Sequence, residues 1–93
     1  MIKVEGQNLW RGGVKIGYVS QERIFDHTGK KLGYCSANNI YDVNGRRVAW
    51  LDGNNIYFTD SSPKIRIEDN EQDVVGGSFS SAVNAAVRLF LGD

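Results

Sequence analysis

Cysteine, histidine, proline and methionine each occur once in this 93-residue chain. A lone Cys35 excludes an intrachain disulfide framework and any zinc site built mainly on cysteine. A lone His27 would need a matching nucleophile and an orienting acid to work as a catalytic base, and no Gly-x-Ser-x-Gly is present. Neither sign of charge is in excess: 11 basic and 11 acidic side chains cancel. That balance argues against a general binder of nucleic acid or membrane surfaces. No apolar run approaches the roughly 20 residues of a membrane helix. The longest, residues 82–91, is interrupted by Asn84 and Arg88. Met1 to Gly6 lacks the apolar core of a signal peptide, so a cytoplasmic protein without membrane contact is expected. Gly12-Gly13 and Gly76-Gly77 lack the Lys and the spacing of a phosphate loop. What the chain does have is 41% hydrophobic residues, and aromatics make up 11% of the chain, which suffices for a core. The length fits a single domain, residues 1–93.

A sixteen-residue repeat organises most of it. Ile24-Phe25-Asp26-His27-Thr28-Gly29-Lys30-Lys31-Leu32-Gly33-Tyr34 is followed, without a gap, by Ile40-Tyr41-Asp42-Val43-Asn44-Gly45-Arg46-Arg47-Val48-Ala49-Trp50. One step back, Gly13, Ile16, Gly17 and Tyr18 fall under Gly29, Leu32, Gly33 and Tyr34. One step forward, Ile56-Tyr57 falls under Ile40-Tyr41. Four units cover residues 8–71: two good copies, an N-terminal one good in its second half, and a degenerate last one.

Each unit reads as a β-hairpin. A short apolar arm leads into Asp-x-x-Gly, where Asp accepts backbone hydrogen bonds and Gly supplies the positive φ of a type I turn with a bulge. A second arm alternates large and small residues, as in Leu32-Gly33-Tyr34-Cys35. Eight short antiparallel strands in a closed or radial all-β arrangement are expected, with neighbours sharing one core. Gly17, Gly33 and Ala49 share a repeat position and are expected at a crowded centre, with Tyr18, Tyr34 and Trp50 as an aromatic belt. In the last copy Phe58 replaces Asp, Ser61 replaces Gly, and Pro63 marks an edge or bulge. Glu68-Asp69-Asn70-Glu71-Gln72-Asp73 reads as a solvated acidic segment. The period then changes. Phe79, Ala82, Val83, Ala86, Val87, Phe90 and Leu91 share one helical face, which predicts an α-helix over residues 78–91, capped by Ser78 or Ser80 and ended by Gly92.

These tandem units resemble the bacterial four-fold β-flower domain, over residues 9–71. The resemblance implies a mainly β fold of four hairpin repeats with approximate four-fold pseudo-symmetry. It implies no activity, cofactor or catalytic residue.

Few residues rise above structural roles. Asp26 and Asp42 could be paired carboxylates or ligands for a hard cation, but turn formation explains both better. Asp42-Val43-Asn44-Gly45 shares its first residues with a calcium loop and lacks the later ligands. His27 sits at a turn tip, and Cys35 reads as a small buried hydrophobe. Lys30-Lys31 and Arg46-Arg47, with Tyr34 and Trp50, form a candidate binding surface for an anion or single-stranded nucleic acid. The plainer alternative is a solvated strand edge. Val83, Val87, Phe90 and Leu91 form a candidate interaction face on the helix. Residues 1–58 hold eight basic and five acidic side chains, and residues 59–93 hold three and six. This split suggests contacts between the halves, or between copies, rather than binding of nucleic acid.

Three functions follow. The leading one is a non-enzymatic β-repeat module that binds a protein partner or self-associates. The second is an anion or nucleic-acid binder using the basic pairs. The third is an enzyme with a site at the centre of the repeats. No cofactor or metal is expected.

Overall fold

The computed structural model describes residues 1–92. Its strands are β1 (Ile2–Glu5), β2 (Asn8–Arg11), β3 (Val14–Ser20), β4 (Arg23–Asp26), β5 (Lys31–Ser36), β6 (Asn39–Asp42), β7 (Arg47–Asp52), β8 (Asn55–Phe58), β9 (Ile65–Arg66) and β10 (Val74–Val75). Two helices accompany them, α1 (Ile67–Asp73) and α2 (Ser81–Leu91). The strands form one sheet in the order β10-β1-β2-β3-β4-β5-β6-β7-β8-β9. Successive strands pair antiparallel, and β10 joins β1 in parallel.

Two kinds of turn alternate along the repeats. Tight two-residue turns join β3 to β4 at Gln21-Glu22 (φ 52° and 64°) and β5 to β6 at Ala37-Asn38 (Ala37 φ 53°). Their positive φ matches the twist of the flanking strands. The Asp-x-x-Gly turns join β4 to β5 and β6 to β7. Asp26 Oδ1 accepts the backbone N–H of Thr28 (2.9 Å) and of Lys30 (3.0 Å). Asp42 Oδ1 does the same for Asn44 (2.9 Å) and Arg46 (3.0 Å). Gly29 and Gly45 close the turns at φ 89° and 83°.

One backbone hydrogen bond recurs in all four copies. The N–H groups of Val19, Cys35, Leu51 and Ile67, sixteen residues apart, donate to the carbonyls of Gln7, Glu22, Asn38 and Asn54 at 2.8–2.9 Å. The worn fourth copy therefore keeps this bond, although its second strand, β9, has only two residues. The first copy is one residue short: Arg11 and Val14 enclose the pair Gly12-Gly13, where Asp26 and Lys30 of the second copy enclose the three residues 27–29. Leu9-Trp10 is thus the structural counterpart of Ile24-Phe25, displaced by one position from the sixteen-residue register.

The inward residues are Ile2, Val4, Leu9, Val19, Ile24, Cys35, Ile40, Ala49, Leu51, Ile56 and Val74, all buried and drawn from nine of the ten strands. They meet α2. Six consecutive helix residues, Ala82 to Val87, are buried, and together they cover every side of the helix. A helix lying on a flat sheet would bury one stripe. Here the sheet curls around α2, and α1 occupies the gap between the edge strands β9 and β10. Ser80 caps α2, its side chain accepting the Val83 N–H at 3.2 Å, and Gly92 ends it.

The small residues line this centre. A Cβ on Gly33 would lie 2.4 Å from the Phe90 ring, and one on Gly17 would lie 3.0 Å from Leu91. Ala49 is fully buried. These positions let the C-terminal end of α2 approach the sheet.

Several expectations need correction. The eight strands expected of the repeats are β2 to β9, and among the described residues β1 and β10 add to them from outside the repeats. The helix starts at residue 81 rather than 78. Residues 68–73 belong to α1 rather than to a solvated acidic segment; its acidic side chains are exposed, but Asn70 is buried.

Candidate aromatic and basic binding face

Alternation along a strand places neighbours on opposite faces. With Gly17, Gly33 and Ala49 inward, Tyr18, Tyr34 and Trp50 point outward. Each lies directly opposite an aromatic of the next strand: Tyr18 opposite Phe25, Tyr34 opposite Tyr41, Trp50 opposite Tyr57. The rings stack, with centroids 4.8, 5.1 and 5.7 Å apart and planes 12–16° from parallel. Such pairs contribute about 0.5–1.5 kcal/mol each beyond the area they bury.

Cations join the rings through a bulge. Lys31 is three residues before Tyr34, a spacing that in a regular strand would put the two on opposite faces. The register of β4 and β5 shifts between Ile24 and Phe25: Gly33 faces Ile24, but Lys31 faces Phe25. Leu32 is the extra residue. The same shift makes Ile16 extra in β3 and Val48 extra in β7. The bulge re-aims the cation to the ring side. Lys15 Nζ lies 5.4 Å from the Tyr18 centroid, Lys31 Nζ 4.7 Å from Tyr34, and the Arg47 guanidinium 4.5 Å from Trp50. Lys64 Nζ stands 6.0 Å from Tyr57 in the fourth copy. At exposed sites each such contact is worth about 0.5–1 kcal/mol. The three bulge residues, Ile16, Leu32 and Val48, pack partly buried against the core.

Of the residues singled out in the sequence, Lys31, Tyr34, Arg47 and Trp50 come together in this way. Lys30 and Arg46 do not join the ring contacts. They sit exposed in the turns and donate their backbone N–H groups to Asp26 and Asp42. Sequence reasoning missed Lys15, Phe25, Tyr41, Tyr57 and Lys64 as members of the face. Lys15 shows in the sixteen-residue register of Lys31 and Arg47, and Tyr57 in that of Tyr41. A depression of about 410 Å³ opens on this face between Arg23, Lys31, Tyr34 and the turn at residues 43–45.

The helix face does not serve as an outer surface. Val83 and Val87 are 5% and 0% exposed, and Phe90 and Leu91 pack partly buried against the core. Their apolar side chains face the inside of the curled sheet, so they are spent within the chain. The same packing bears on the centre of the repeats, which α2 fills with Ala82, Ala86 and Val87.

Among the remaining candidates, Asp26 and His27 are neighbours in the chain. His27 is exposed at its turn. Asp26 and Asp60 are held below the usual carboxylate range, chiefly by the side chains of Thr28 and Ser62. Cys35 is buried, its Sγ 3.5 Å from the Ala82 carbonyl. Burial, with a smaller effect of the Glu22 charge, pushes its thiol up to about 12. Among the described residues no group of three or more His, Cys, Asp or Glu is placed to hold a metal ion. Among the described residues no helix is long and apolar enough to cross a membrane.

Four hairpin copies around a central helix, with aromatics outward and small residues inward, define a pseudo-symmetric hairpin-repeat domain. The family model described as "4-fold beta flower protein" matches residues 11–84, and the chain belongs to that family. No curated protein and no solved structure matches it.

Proposed function

We propose that this protein is a non-enzymatic module that binds an acidic protein surface through its outer aromatic and basic face. The observation that carries this reading is the row of three stacked ring pairs, each with a cation over its first ring. The arrangement also favours a protein over a single-stranded nucleic acid. Stacking a base needs a free ring face. Tyr34 already has Tyr41 against it and Lys31 over it, and Trp50 has Tyr57 and Arg47. What the first ring of each pair offers a partner is its edge and a positive charge, which suits carboxylates on a folded surface.

The chain supplies one such surface itself. Glu68, Asp69, Glu71 and Asp73 of α1 are exposed. Glu68 pairs with Arg66, and Asp73 Oδ2 with Arg88 Nε at 2.9 Å. Asp69 and Glu71 complete the acidic side of the helix. A second copy docking α1 against the row would make a head-to-tail contact between unlike surfaces.

Charge swapping tests this. Sedimentation equilibrium at low salt should show concentration-dependent association that weakens as salt is raised. The double variant Lys31→Glu/Arg47→Glu should be monomeric, as should Asp69→Lys/Glu71→Lys. Mixing the two variants should restore association as a heterodimer. A protein that stays monomeric at low salt and millimolar concentration contradicts the self-association. Salt-sensitive binding of an oligothymidylate, lost in Lys31→Glu/Arg47→Glu, would instead support the nucleic-acid reading.

A further inference from the structure

The row of rings is broken at one end. Trp10 of β2 holds the place that Phe25, Tyr41 and Tyr57 hold in the other copies. Each of those three is stacked by an aromatic from the preceding strand. The strand preceding β2 is β1, and the residue it sets opposite Trp10 is Lys3. Among the described residues no ring stacks on Trp10.

The space is not filled by something else. A cavity of about 440 Å³ is lined by Trp10, Lys3, Glu5, Val75, Met1 and the turn Gly12-Gly13. Lys3 and Glu5 are the outward residues of β1, so the cavity lies over the outer face of that strand, between Trp10 and β10. Gly12 and Gly13 contribute no side chain; a Cβ at either would meet nothing within 4 Å. Its walls are mainly apolar, and its size is in the usual range for a small-molecule site. The indole Nε1 of Trp10 is buried and has no hydrogen-bond partner in the fold. Buried donors are ordinarily paired.

We propose that this cavity is a binding site for a small planar aromatic molecule, one that stacks on Trp10 where the other three copies place a ring of their own. Lys3 and Glu5, 3.3 Å apart at the rim, offer one charge of each sign to polar substituents. This site does not depend on the protein-binding reading. It uses β1 and β2 at the end of the row, whereas that reading uses β3 to β8.

Two probes with the same carbon skeleton, one flat and aromatic and the other saturated and puckered, test it. 2-Naphthol should shift the Trp10 indole N–H resonance upfield and saturably, through the ring current of a stacked aromatic. Decahydro-2-naphthol, its saturated counterpart, should leave that resonance in place. The Trp50→Phe variant assigns the two indole signals and should bind as the parent does. The Lys3→Tyr variant should supply the missing ring from within. It should no longer bind 2-naphthol, and its melting temperature should rise by several degrees. Because that variant is expected to gain stability, loss of binding in it cannot be ascribed to unfolding. An unmoved Trp10 signal, equal shifts from both probes, or undiminished binding by Lys3→Tyr would each overturn the proposal.

Discussion

Gly33 shows how much of this fold depends on a missing side chain. A Cβ there would sit 2.4 Å from the Phe90 ring and 2.5 Å from the Tyr41 carbonyl oxygen. The ring can yield, but the carbonyl belongs to a paired strand. Gly33→Ala should therefore destabilise by about 1–3 kcal/mol, as overpacking does. Adding Phe90→Ala should recover part of that loss, and chemical denaturation of the two single variants and the double would measure the coupling. Asp26 supports a prediction of a different kind. Its carboxyl is held below 3.8, first by the Thr28 hydroxyl and then by backbone N–H groups, so the folded state favours the ionised form. The stabilisation is complete above the unfolded value and is lost as pH falls through the lower folded value. Melting temperatures of the parent and Asp26→Asn should differ most above about pH 4 and converge in stronger acid. A difference independent of pH would assign the effect to turn geometry alone.

At the scale of the element, legibility followed the strength of the local signal. The hairpins at residues 24–50 were readable because Asp-x-x-Gly turns and sixteen-residue spacing are both written in the residues themselves. Leu9-Trp10 was hidden by a single-residue deletion in the turn before Val14, which moves the first arm out of register while leaving its pairing intact. The helix α1 carries no side-chain cap, and its acidic residues resemble a solvated loop; its buried Asn70 is set by tertiary contact and leaves no pattern. The binding face was partly legible for the same reason. Lys31, Tyr34, Arg47 and Trp50 stand out as repeated basic and aromatic residues, but the union of Lys31 with Tyr34 on one face needs the bulge at Leu32. Two-residue alternation assigns them to opposite faces, and a bulge is a property of the pairing rather than of the strand alone.

At the scale of the whole molecule, the amphipathic pattern of α2 was visible, but its destination was not. A helical stripe of Val83, Val87, Phe90 and Leu91 fits a partner's groove and the inside of a curled sheet equally well. What decides is that Asn84 and Ala85, off that stripe, are buried too. With one core shared by nine strands and α2, no hairpin has an interior of its own. Unfolding by denaturant should accordingly be a single transition, with backbone circular dichroism and tryptophan fluorescence changing together. Trp10 and Trp50 lie in the first and third copies, so a copy that melted separately would split the two signals.

The central place of α2 has a consequence for the order of assembly. Hairpin turns are local and can close within microseconds of leaving the ribosome. The piece they close around follows all four copies in the chain. During synthesis the copies must therefore wait as a ribbon with one greasy side, until residues 81–91 emerge and are taken in. The repeats come first, yet their inward side chains lack their packing partner until α2 arrives.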